Sequence, residues 1–139
     1  MIISPMDRSD PAFLEFLDRQ PTLIRLRAIC LGFPETTEKL SWGVTPTFRV
    51  RDKIFAQYEH DHHGNGRVEL WCKAPAGAQE VLTESDPKTF FRPPYVGHLG
   101  WIGIWLDVPV DWDAVTGLLE EAYRMTAPKR VLAAMEGAA

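Results

Sequence analysis

One stretch of six residues limits the possible folds more than any other. Asp61-His62-His63-Gly64-Asn65-Gly66 separates two segments with the two-residue period of a strand, Ile54 to His60 before it and Arg67 to Lys73 after it. Gly and Asn accept the positive φ that hairpin loops demand, so the flanking segments are expected to pair as antiparallel neighbours. The same period holds upstream, where Phe48 and Val50 alternate with Thr47, Arg49 and Arg51 ahead of the polar turn Arg51-Asp52-Lys53. Downstream, Phe90 to Tyr95 and Trp101 to Leu106 read as two further strands, joined by a second hairpin across Gly97 and Gly100.

Helical periods bracket these strands. Asp10-Pro11 reads as N-cap and first helical residue of a short helix to about Arg19, with Phe13, Leu14 and Leu17 on one face. Pro21 breaks or restarts it. A second helix over Thr22 to Leu31 stops at Gly32 and Pro34, and its apolar arc holds Leu23, Leu26, Cys30 and Leu31. Arg27 falls inside that arc and therefore requires a partner. Pro75 to Thr83 reads as a short helix, Asp111 caps a long one to about Thr126, and Pro128 starts a terminal one. Runs of hairpin-linked strands between helices imply an α+β fold, an antiparallel sheet of about five strands flanked by N- and C-terminal helices. A doubly wound nucleotide fold is disfavoured.

Composition narrows the function classes. Fifteen Lys and Arg against nineteen Asp and Glu give a net charge of −4, which disfavours a globally basic nucleic-acid binder. No apolar run is long enough to span a bilayer, since the longest is Trp101 to Leu106, and Met1 to Asp10 lacks the pattern of a secretory signal. A cytoplasmic location is the expectation. Cys30 and Cys72 stand far apart and suit neither a disulfide scaffold nor a metal knuckle. Each falls on an apolar face, as small core residues do.

Several segments resemble the MmcQ/YjbR family. They are Leu26 to Pro34 with Glu38 and Ser41-Trp42-Gly43, Thr47-Phe48-Arg49-Val50 with Lys53-Ile54-Phe55-Ala56, Pro94-Tyr95-Val96-Gly97 with Gly100-Trp101-Ile102-Gly103, and Ala122-Tyr123 with Lys129. The resemblance covers about residues 22 to 130 and leaves residues 1–21 as an N-terminal helical extension to a domain over 22–139. It implies a CyaY-like (frataxin-like) fold with two projecting hairpins described as a double-wing DNA-binding motif. The activity is otherwise unassigned, and a shape-based label does not fix function.

A β-ribbon can enter a groove of DNA while basic side chains at its edges hold phosphates. The candidates are Arg49, Arg51, Lys53, His62, His63, Arg67 and Lys73 around the first hairpin, and Arg92 and His98 around the second. Asp52, Glu59, Asp61 and Glu69 offset them, so any contact is expected to be weak or shape-selective. The competing reading of the same residues is a solvated face of mixed charge.

Three other constellations compete. The run His60-Asp61-His62-His63 could offer metal-ligating imidazoles, with His60 and His62 on one strand face, but no clustered fourth ligand is apparent and a polar loop tip is the reading taken. Arg27 is expected to pair with Glu38, placed in the loop before Trp42. That pair is either a structural clamp or the polar end of a pocket. In Trp101 to Leu106 both alternation sets are apolar, and Phe55 and Trp71 sit on the outer sets of their strands. A second aromatic face follows. Packed under helices it is a second small core; open, it is a surface for a planar ligand, a protein partner or a second copy. The ligand-binding alternative therefore comprises Arg27, Glu38, Trp42, Trp71, Tyr95, Trp101 and Trp105. No nucleophile elbow, phosphate loop, dinucleotide fingerprint or zinc-protease motif occurs. The expectation is a non-enzymatic binding or regulatory module, without cofactor, metal or membrane, acting as a monomer or weak dimer.

Overall fold

A computed structural model describes residues 7–137; the first part of the stretch Met1 to Asp10 lies outside the described residues. The helices are α1 (Pro11–Asp18), α2 (Pro21–Cys30), α3 (Ala78–Ser85), α4 (Trp112–Thr126) and α5 (Lys129–Gly137). The strands are β1 (Thr36–Ser41), β2 (Thr45–Val50), β3 (Lys53–His60), β4 (Val68–Cys72), β5 (Phe90–Phe91) and β6 (Ile102–Trp105). They form one antiparallel sheet in the order β1-β2-β3-β4-β6-β5. The α+β class is as expected, and no helix among the described residues is long and apolar enough to cross a membrane.

Helices cover one face of the sheet. Phe48, Ala56, Cys72 and Ile102 follow one another across the ladder, as do Tyr58, Leu70 and Ile104, and all are buried. Leu23, Leu26 and Cys30 of α2 and Val115, Leu119, Ala122 and Tyr123 of α4 close this core. Asp10 caps α1 by accepting from the Ala12 amide, and Asp111 caps α4 by accepting from the Asp113 and Ala114 amides. The N-terminal helix belongs to the same core, to which α1 contributes Phe13 and Leu17. Leu31 departs from the expected arc: α2 ends at Cys30 and Leu31 is 45% exposed.

Four strand expectations are corrected. Thr36–Ser41 is a sixth strand, not a loop, so Glu38 is a strand residue opposite Phe48. Its polar sequence hides it, because an edge strand with few buried positions needs no apolar alternation. The strand expected over Phe90 to Tyr95 stops at Phe91, because Pro93 and Pro94 have no amide to donate to the ladder. Residues 92–101 therefore form a broad loop with a 3-10 turn at Gly97–Leu99, not a projecting second ribbon. In β3, Phe48 pairs with Ala56 and Arg49 with Ile54, leaving Phe55 as an extra residue. This bulge takes Phe55 out of the outer set and packs its ring against Tyr123 at 5.8 Å and Phe33 at 6.4 Å.

Candidate functional site

The face opposite the helices carries Thr47, Gln57, Trp71 and Gly103 in one row and Glu59, Glu69 and Trp105 in the next. Part of it is covered. Phe91 stacks on Trp105 at 4.0 Å and fills the space over Gly103, where a Cβ would come within 2.3 Å of the Phe91 ring. The rest is an open cavity of about 450 Å³. Gln57, Glu59 and Trp71 contribute to it from the central strands, and Trp42, Val44 and Thr45 from the turn into β2. His62, His63, Tyr95 and Val96 enter from the loops, and Arg8 from the segment before α1.

Strained backbone holds its rim. Trp42, His63 and Tyr95 have φ of 54°, 51° and 63°, a left-handed region that side-chain-bearing residues enter at a cost of order 1 kcal/mol each. Trp42 sits beside Gly43 in the tight β1–β2 turn, which orients its 76%-exposed indole over the cavity mouth. Tyr95 follows Pro93-Pro94 and accepts or donates a hydrogen bond to His63 Nε2 at 2.8 Å. His62 packs edge-on against Trp71 at 5.0 Å, and burial, ahead of the neighbouring His63, lowers its pKa.

The Glu59 carboxylate lies at the floor, with that of Glu69 beside it on the next strand. Glu59 and Glu69 face each other directly across β3 and β4, and each is 2% exposed. Glu69 accepts from Trp71 Nε1 at 2.9 Å and from Asn65 Nδ2 at 2.7 Å. Glu59 is less well served. Gln57 Nε2 donates to its Oε1 at 3.0 Å, whereas its buried Oε2 accepts no hydrogen bond among the described residues and faces Arg8 Nη2 at 3.7 Å. Burial pushes the Glu59 carboxyl up to about 7; the Gln57 bond and the Arg8 charge pull it down, and the nearby Glu69 charge adds to the rise.

The sheet separates the residues of the ligand-binding set. Trp42, Trp71 and Tyr95 line the cavity. Trp101 is buried, its carbonyl accepting from Gln79, and Trp105 is sandwiched between Phe91 and the Arg67 guanidinium, 3.8 Å from its ring. Arg27 and Glu38 lie on the helix-covered side, joined by bonds of 2.8 and 2.9 Å, with Asp18 accepting from Arg27 at 2.7 Å. Arg8, Gln57 and Glu59 do not stand out in the sequence as site residues. The one trace of Glu59 is its place opposite Glu69 once the hairpin is in register.

The basic hairpin residues are dispersed. Arg51 is paired bidentately with Glu35, Arg67 with Asp107, and Arg49 with Thr47, Ser41 and Asp52. Lys53, Lys73, Arg92 and His98 make no ion pair among the described residues. Burial, ahead of nearby Lys53, lowers the Lys73 pKa, and Arg92 lies along Gly97. His62 and His63 belong to the cavity. The expected shared face of His60 and His62 is corrected: Asp61 at φ 54° turns the chain, so His60 packs on Phe16 while His62 packs on Trp71. Among the described residues no three His, Cys, Asp or Glu side chains gather as a metal site.

Three comparisons place this geometry among known proteins. The YjbR family model matches residues 31–125. The crystal structure of the Deinococcus radiodurans protein DR2400, which carries a DUF419 domain, is similar with a TM-score of 0.60 and 21% identity. The match covers 70% of this chain and 72% of that one, and at this identity the likeness is one of fold. No curated protein matches.

Proposed function

This chain belongs to the YjbR family, and on that premise we propose that it is a small-molecule-binding module whose ligand enters the aromatic cavity on the open sheet face. The observation that carries the reading is the conjunction at one place of exposed aromatic rims on strained backbone and a buried carboxylate oxygen without a hydrogen bond among the described residues. Strain of this kind persists when the surrounding structure imposes it, and such cavities with a few convergent polar groups are where small ligands bind. Trp42 and Trp71 in the walls provide the readout. A thermal-shift and tryptophan-fluorescence screen of chemically diverse small molecules should give hits that Trp42→Ala abolishes. A screen whose every hit survives Trp42→Ala contradicts the reading.

Nucleic-acid contact through the hairpins is the second reading, with weak or shape-selective binding by a monomer or weak dimer. It draws on Lys53, Lys73 and Arg92, which no carboxylate neutralises among the described residues. With about three phosphates engaged, binding to a random duplex should weaken with salt at a log–log slope of about −3. Fluorescence anisotropy that detects no binding at low salt, or binding without that slope, removes this reading.

A further inference from the structure

We propose that the ligand of this cavity is an organic cation bearing an N–H donor, an ammonium or amidinium group that takes the place of Arg8 against Glu59; this rests on the cavity being a ligand site. The observation behind it is a comparison of ion pairs within the molecule. Arg27–Glu38 and Arg67–Asp107 are forked, with both bonds of each between 2.6 and 2.9 Å. Arg8 and Glu59 are more deeply enclosed as a pair, where a good bond matters more, yet they approach only to 3.7 Å. Arg8 Nε and Glu59 Oε2 are both buried without a hydrogen-bond partner among the described residues. A cation thus already sits at this carboxylate, and its own geometry leaves the strongest bond unmade.

The charge balance points the same way. Among the described residues Arg8 is the one cation within ion-pair distance of Glu59, whereas Glu69 is held by Trp71 and Asn65 and feels the charge of Arg67, which is already forked to Asp107. Burial, which the Gln57 bond and the Arg8 charge offset only in part, raises Glu59 toward 7, so part of the protein binds a proton there. The walls suit a cation as well: the faces of Trp42, Trp71 and Tyr95 carry the negative part of the ring quadrupole. An anionic ligand would have to approach the Glu59 carboxylate, with that of Glu69 next to it on β4.

The test uses three compounds of one shape and different charge, benzamidine, benzamide and benzoate, titrated calorimetrically against the folded full-length chain at about pH 8. Benzamidine should bind about tenfold tighter than benzamide, with benzoate weakest. Glu59→Gln should bring benzamidine down to the benzamide level, and Arg8→Ala, which removes the resident cation, should tighten benzamidine several-fold. Arg8→Ala keeps the test decisive should Glu59→Gln fold poorly. Benzamide equalling benzamidine, no binding of benzamidine at millimolar concentration, or Arg8→Ala weakening it overturns the cation proposal. If benzamide or benzoate binds in a Trp42-dependent way while benzamidine does not, the cavity remains a ligand site and only the cation assignment falls.

Discussion

Arg27 with Glu38 and Arg8 with Glu59 are two arginine–carboxylate pairs on opposite faces of one sheet. The first joins α2 to β1 by a forked contact, reinforced by Asp18 of α1. No buried side-chain atom of that pair lacks a partner among the described residues, and the geometry is that of a clamp between helix layer and sheet. The second joins the segment before α1 to β3 across 3.7 Å, leaving one buried atom of each partner unbonded among the described residues. The same residue types serve different ends. A satisfied pair fixes structure, whereas an unsatisfied one beside an open aromatic cavity offers its free valence to something outside the chain.

Removing Glu38 should break the comparison most forcefully. Glu38→Ala leaves the half-buried Arg27 without its fork and should cost about 2 kcal/mol in urea unfolding, since Asp18 alone compensates in part. A loss near zero would mean that the first pair is no clamp. Glu59→Gln should act in the opposite direction. The Glu59 carboxyl has its pKa raised on folding from about 4.5 to about 7, so ionisation opposes folding as pH climbs through that window. The variant escapes this penalty and should be more stable than the parent by roughly 1–3 kcal/mol at about pH 8, with the difference fading below about pH 5. A Glu59→Gln variant that is less stable at all pH values would show that Glu59 is structurally as well served as Glu38.

Smaller effects sharpen the contrast. Arg8→Ala should cost under about 1 kcal/mol, because the contact is long and makes no strong bond, but it should raise the Glu59 midpoint further by withdrawing a positive charge. Trp42→Ala should change stability by no more than about 0.5 kcal/mol, the indole being mostly exposed, while removing ligand binding at the cavity.

The clamp was legible in the sequence and the cavity only in part. Arg27 announces itself as a charge within an apolar helical arc, and that anomaly demands a nearby carboxylate. Its partner's strand is harder to see, because Thr36–Ser41 lies at the sheet edge and is polar at most positions. On the other face, Trp42, Trp71 and Tyr95 are visible as aromatics outside the main core set. Nothing in their identity reveals the left-handed backbone that turns Trp42 and Tyr95 over one cavity. The Phe55 bulge shifts one aromatic to the other side of the sheet, a change of register that period-two alternation cannot anticipate. Glu59 carries no local mark, since its character comes from Glu69 on another strand and Arg8 from a distant segment. Sequence pattern records what one element must bury; a site assembled from several strands and loops leaves its trace in the tertiary contacts.

The most direct measurement is the titration of the Glu59 side-chain carboxyl carbon by NMR, without and with saturating benzamidine. Glu59 should titrate with a midpoint of about 7 in the free protein, and benzamidine should lower that midpoint by about one unit or more as a cation replaces the bound proton. A midpoint in the ordinary carboxylate range, or one that benzamidine leaves unmoved, would contradict the account.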